Sequence, residues 1–216
     1  MPSTNIQPSF DAYYSAVNAD FSIARNSSRA DTVTPVREDL RSSVLISGGY
    51  ELVRTYATFD CYSIREFTIT GMWLNIYCDS HIAGSLIYIF YCGNATLTGD
   101  VFEYPLYLTQ GLNVWNDPIE PTNKAYNRIY LDANLFPYPT LGRNNKINIG
   151  LIDDNDYLNT GKAGSEIVYQ SSRGLNPPYL EIQYSGGGYA NPVMGIPNFT
   201  DLSGVPSADI LSVMGV

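Results

Sequence analysis

Residues 66–78, EFTITGMWLNIYC, alternate with a period of two. Met72, Leu74, Ile76 and Cys78 fall on one face, and Trp73, Asn75, Tyr77 and Asp79 fall on the other. A helix would scatter these two sets, because its side chains repeat every 3.6 positions. An extended strand with one face on a core separates them. No stretch of 12 residues in the chain holds a convincing helical stripe.

The same reading predicts strands over residues 11–17, 50–59, 85–92, 126–131, 146–151, 166–170 and 179–184. Residues 85–92 (SLIYIFYC) are apolar on both faces and predict a central strand. Residues 102–110 contain Pro105, which predicts an edge strand or a bulge. The intervening NDP, PYP, LGRNN, DDND and LNPP carry turn chemistry. The 18 tyrosines and the 15% charged residues suit strands better than surface helices. Together these features predict an all-β fold, an antiparallel β-sandwich of jelly-roll type, over residues 11–185. Residues 1–10 read as an N-terminal arm. Residues 24–43 read as a long loop, with a short helical turn compatible with PVREDL near residues 35–40.

After Ser185 the character changes. Residues 186–188 are a triple-glycine linker, and residues 189–216 are apolar with two charges, Asp201 and Asp209. GIPNFTDLS (195–203) is followed directly by GVPSADILS (204–212), and VMG occurs at 193–195 and again at 213–215. Ordering such a segment costs backbone entropy that its own apolar side chains do not offset, so it needs a preformed surface. It is therefore expected to be a docking tail. Its anchors are Val193, Met194, Ile196, Phe199, Leu202, Val205, Ile210, Leu211, Val213 and Val216.

The formal net charge is −9, which gives no electrostatic footprint for nucleic acid or an anionic membrane. Cys61, Cys78 and Cys92 lie in or beside apolar runs and read as buried thiols, with a Cys78–Cys92 cross-strand disulfide left open. The single histidine, His81, reads as a turn residue, and no nucleophile-elbow, HExxH, CxxC or phosphate-loop sequence accompanies it. No catalytic residue and no cofactor is expected. Asp153, Asp154 and Asp156 are oxygen ligands at close spacing and weak calcium candidates. They lack the glycine and glutamate of an EF-hand loop, and a plain turn is the simpler reading. Several aromatic residues lie in or near predicted loops, Tyr104 and Tyr107 among them. Trp115, Tyr126, Tyr138 and Tyr157 are the candidates for stacking on sugar rings, the alternative being that they plug the ends of the sandwich. The N-terminus shows no secretory pattern and no run is long enough to span a membrane. Synthesis in the cytoplasm is therefore expected.

VRTYATFDCYSI and ITGMWLNIY, followed by YNRIYLDANLF, KINIGLIDDNDY and PPYLEIQYS, resemble DNRLRE-type and related sandwich modules. Such modules are common in bacteriophage structural proteins and bacterial surface proteins. The tail SGVPSADILSVMGV resembles terminal repeats in proteins of phage origin. The resemblance implies an antiparallel sandwich used as a structural or glycan-binding module. With no secretory pattern at the N-terminus, the expectation is a non-enzymatic virion structural protein: a capsid decoration, head fibre or tail-tip component, released by lysis and resident in the virion. Its implied partners are other virion subunits or copies of itself. The alternative it implies is a carbohydrate-binding module for cell-surface or extracellular glycans.

Overall fold

The computed structural model of the chain describes residues 1–27, 30–35, 39–46, 48–65, 67–92, 114–135, 138–139, 141, 145–185, 201–202 and 205–206. The fold is an all-β antiparallel sandwich. Eleven strands form one continuous network: β1 (Ser3–Ile6), β2 (Pro8–Asn18), β3 (Thr32–Pro35), β4 (Asp39–Ile46), β5 (Tyr50–Asp60), β6 (Thr68–His81), β7 (Ile87–Tyr91), β8 (Ala125–Tyr130), β9 (Lys146–Asp153), β10 (Ser165–Gln170) and β11 (Tyr179–Ser185). All their ladders are antiparallel.

One layer runs β3-β2-β5-β9-β7, and the other is β1-β11-β6-β8. The pair β4–β10 joins them, because β4 also pairs with β5 and β10 also pairs with β6. Alternation explains the inner core. Met72, Leu74, Ile76 and Cys78 of β6 pack with Ile129 of β8 and with Leu180 and Ile182 of β11. Facing them are Ala57 and Phe59 of β5, Ile147, Ile149 and Leu151 of β9, and Ile87 and Ile89 of β7.

The first layer is buried on its other face too, so β5 and β9 read as nearly continuous buried runs. Tyr14, Leu52, Tyr56, Phe90 and Ile152 form a second cluster there, with Phe21 and Ala24 of the short helix α1 (Phe21–Arg25). Tyr56 meets Tyr14 and Phe90 edge-on, at ring-centroid distances of 5.1 and 5.8 Å. A second short helix, α2 (Asp154–Tyr157), follows β9, and Asp153 caps it by accepting a hydrogen bond from Asn155 N. Arg54 of β5 and Arg25 of α1 converge on Asp156 of α2. Arg54 donates from Nε at 2.6 Å and Nη2 at 2.8 Å, and Arg25 Nε donates to the Asp156 carbonyl at 2.7 Å. This buried ion group ties both helices to the sheet.

β7 is buried on both faces, as its sequence predicts. Its ladder, however, runs with β9 alone; beyond that the described residues add the isolated bridges Ile87↔Ile119 and Phe90↔Val114. Gly150 lies opposite Phe90 in that ladder, and the Phe90 ring occupies the space a Cβ at Gly150 needs. Gly150→Ala is therefore expected to destabilise the protein by about 3 kcal/mol, measured by equilibrium urea unfolding.

Two sequence expectations are corrected. Residues 1–10 are not a free arm. β1 pairs with β11, and β2 starts at Pro8, at the first position of a strand, where the missing N–H is tolerated. Residues 24–43 are not one long loop, and of the expected helical turn near 35–40, Pro35, Asp39 and Leu40 lie in strands while residues 36–38 lie outside the described residues. The 24–43 span holds the end of α1, all of β3 and most of β4. β4 was hidden because Ser42 and Ser43 dilute its apolar alternation. Both are buried, and Ser42 Oγ donates to the Leu151 carbonyl at 3.1 Å. The strand predicted at residues 102–110 lies outside the described residues. In the tail, Asp201–Leu202 (β12) pairs antiparallel with Val205–Pro206 (β13), a short hairpin across the junction of the two nine-residue repeats.

Candidate functional site

The solvent-facing side of β11, β6 and β8 brings aromatic and charged groups together. Period-two geometry puts alternate residues of each strand there, and the register aligns them in rows. Glu181, Trp73 and Tyr130 form one row across the three strands, and Tyr179, Asn75 and Arg128 form the next. Tyr77 and Tyr126 stand opposite each other beyond them.

Trp73 lies down over Gly71. A Cβ at Gly71 would sit 2.8 Å from the indole, so the glycine lets the ring lie against the sheet. Arg128 stacks on that ring at 4.3 Å, and Tyr130 packs beside it at 5.4 Å. Arg128 then reaches across β6 to Glu181 as a bidentate pair at 2.8 and 2.9 Å. The charge-assisted hydrogen bonds hold the Glu181 carboxyl below the usual range and the Arg128 guanidinium above its own. Asn75 lies under this bridge and is 2% exposed. Its amide is near enough to Glu181 to help lower that carboxyl, yet Nδ2 makes no hydrogen bond of good geometry.

At the far end Tyr126 meets Tyr77 at 5.4 Å and Tyr179 at 5.8 Å, and its hydroxyl donates to the Pro177 carbonyl. Tyr126 and Tyr130 remain 42% and 46% exposed. Both are thus ordered by neighbours and open to solvent, which is what a stacking platform requires.

Of the predicted sugar contacts, Tyr126 alone stands on this face. Trp115 is corrected: it is fully buried in the inner core, beside Tyr91 at 5.3 Å, and offers no ring to a ligand. Tyr138 is half-buried against the same core, and its hydroxyl donates to the Leu131 carbonyl at 2.7 Å. Tyr157 packs on Tyr88 at 4.1 Å, over the second cluster. These three plug the sandwich. Tyr104 and Tyr107 lie outside the described residues, as do the tail anchors Val193, Met194, Ile196, Phe199, Ile210, Leu211, Val213 and Val216.

Trp73, Tyr130, Arg128 and Glu181 were not singled out from the sequence. The signal for Trp73 was present, since the alternation of residues 66–78 already sets it opposite the core. Arg128 and Glu181 are far apart in the chain and meet only through strand order.

Of the three weak calcium candidates, Asp154 is the first residue of α2 and the other two are already engaged. Asp156 is 1% exposed and held by two guanidiniums, and Asp153 is a buried helix cap. No group of three or more His, Cys, Asp or Glu able to hold a metal ion occurs among the described residues. His81 ends β6, with Nδ1 at 2.6 Å from Asn123 Oδ1 and Nε2 at 3.0 Å from Glu120 Oε1, so both ring nitrogens are occupied. All three cysteines are buried and free, which leaves no Cys78–Cys92 disulfide. Burial pushes the Cys61 thiol up to about 12 and the Cys78 thiol up to about 11.

A shallow cleft of ≈ 370 Å³ opens near the end of β6, lined by Asp39, Asp79, Gln170, Arg173, Gly174 and Leu175. Asp79 there is already engaged by Gln170 at 3.1 Å and Lys124 at 3.7 Å. No helix of the described residues is long and apolar enough to cross a membrane. No family model matches the chain, and no curated protein matches it.

Proposed function

We propose that the chain is a non-enzymatic recognition module that binds carbohydrate through the outer face of β11, β6 and β8. The observation that carries this reading is the pair of exposed, ordered tyrosine rings, Tyr126 and Tyr130, flanking the Arg128–Glu181 pair. Aromatic faces take up the C–H faces of sugar rings, and a fixed guanidinium–carboxylate pair offers donors and acceptors to hydroxyls. The chain is expected to bind members of a broad glycan array, and Tyr126→Ala with Tyr130→Ala to abolish that binding without lowering the melting temperature by more than a few degrees. A wild-type protein that binds no glycan at high concentration refutes the reading.

A second reading concerns context. The two tail repeats, the triple glycine directly after β11 and the short hairpin across the repeat junction support a displayed virion component. On this reading the tail anchors the sandwich to other virion subunits or to copies of itself, by adding a strand to an exposed sheet edge. The full chain is expected to form oligomers or join purified particles, and a chain ending at Ser185 to be a soluble monomer by light scattering. Equal masses and equal particle occupancy for the two would sink it.

A further inference from the structure

We infer that the ligand of this face is an extended, uncharged oligosaccharide lying along β8, rather than a single sugar or a charged polymer. The inference rests on the carbohydrate reading and specifies its ligand class.

Length comes from strand geometry. Tyr126, Arg128 and Tyr130 alternate with Asn127 and Ile129, so their side chains share one face. Four residue steps of strand lead from one tyrosine to the other, which places them about 13 Å apart. That is wider than one sugar ring, so a monosaccharide covers one platform and leaves the other bare. Single sugars and other small ligands are generally held in concave sites. The Asp39–Asp79 cleft is concave, and neither tyrosine lines it.

Charge comes from the pair at the centre. Arg128 is the cation between the tyrosines, and Glu181 already matches it at 2.8 and 2.9 Å. An anionic ligand gains Arg128 only by meeting Glu181 and the field of a chain with net charge −9. A cationic ligand meets Arg128 over Trp73. A polyhydroxylated neutral ligand hydrogen-bonds to both members without breaking the pair.

The same pair argues against a protein partner. A protein interface concentrates contiguous apolar area at its centre and excludes charge there. Here the centre is ionic and the rings flank it. Below the bridge, Asn75 Nδ2 is a buried donor without a good partner. The rings are already held in place, Tyr126 by Tyr77, Tyr179 and the Pro177 carbonyl, and Tyr130 by Trp73. Binding therefore orders little side chain, which keeps the entropy cost low.

The test titrates the full chain against cello-, malto-, xylo-, manno- and chito-oligosaccharides of increasing length, with hyaluronan oligomers as the anionic set. For at least one neutral series, affinity is expected to rise about tenfold or more from the monosaccharide to the tetrasaccharide. Hyaluronan of equal length is expected to bind more weakly. Tyr126→Ala and Tyr130→Ala are each expected to lose about five- to tenfold for the long oligomer, as one stacking contact removed implies. Glu181→Gln is expected to shift preference toward hyaluronan.

Binding that does not grow with length, or that prefers hyaluronan, overturns this inference and leaves carbohydrate recognition standing. Binding to no glycan at all overturns both. A loss of particle association in the tyrosine variants, without any glycan affinity, assigns the face to a protein partner instead. The length series needs no variant, so a misfolded mutant does not blunt it.

Discussion

Asp156→Ala is expected to destabilise the protein by about 3–5 kcal/mol in equilibrium unfolding. Asp156 and Arg54 are almost wholly buried, at 1% and 0% side-chain exposure, and Arg25 is 7% exposed. Burial pulls the Arg25 guanidinium down, Asp156 holds it up, and the nearby Arg54 pushes it down again. Removing the carboxylate leaves two guanidiniums facing each other out of water. It also loosens α1 and α2, which meet the sheet through this group. A triple variant, Arg25→Met, Arg54→Met and Asp156→Leu, is expected to recover most of the loss. The cost of breaking such a group is mainly the unpaired charge left behind. A change under 1 kcal/mol for Asp156→Ala would show that water reaches the guanidiniums and that the group is not a buried one.

Asp153→Asn is expected to stabilise the protein above neutral pH and to leave it little changed in acid. Asp153 is fully buried, and desolvation raises its carboxyl to about 7. Its Oδ1 accepts from Asn155 N and Ser165 Oγ, while Oδ2 is buried without a partner. The folded pKa lies above the unfolded value of about 3.9. Between the two values the folded state binds the extra proton, so stability is fully present below pH of about 4. It is lost as pH rises through about 7. The gap of about three units corresponds to roughly 4 kcal/mol at most. Asparagine keeps the acceptor for Ser165 and Asn155 and carries no charge. Its melting temperature is therefore expected to stay flat where the parent's falls, and to exceed it at pH 8. Parallel curves for the two proteins would place the titration elsewhere.

Strand content was legible in the sequence wherever one face is buried and the other wet. Residues 66–78, 126–131, 166–170 and 179–184 alternate and became β6, β8, β10 and β11. β7 and β9 were legible through β-branched and aromatic content and β5 through its alternation, although both faces of all three are buried. β1, β3 and β4 were not legible. They are short or rich in Ser and Thr, and pairing with strands distant in the chain orders their backbone. Loop aromatics misled the site reading. Trp115, Tyr138 and Tyr157 sit in segments with turn chemistry, yet each closes an end of the core. Fractional burial depends on which layer lies above a residue, and composition does not encode that.

Local sequence pattern was enough for the class of fold, the inward and outward faces of β6, and the buried state of the three thiols. Each follows from local periodicity or apolar context, which act within a few residues. Tertiary structure alone decided that β8, β6 and β11 lie side by side. It thereby decided that Arg128 stacks on Trp73, pairs with Glu181 across β6 and stands between two open tyrosines. Those contacts join residues about 50 positions apart in the chain. Strand order and register create them, and both are set by the packing of the whole sandwich rather than by any one segment.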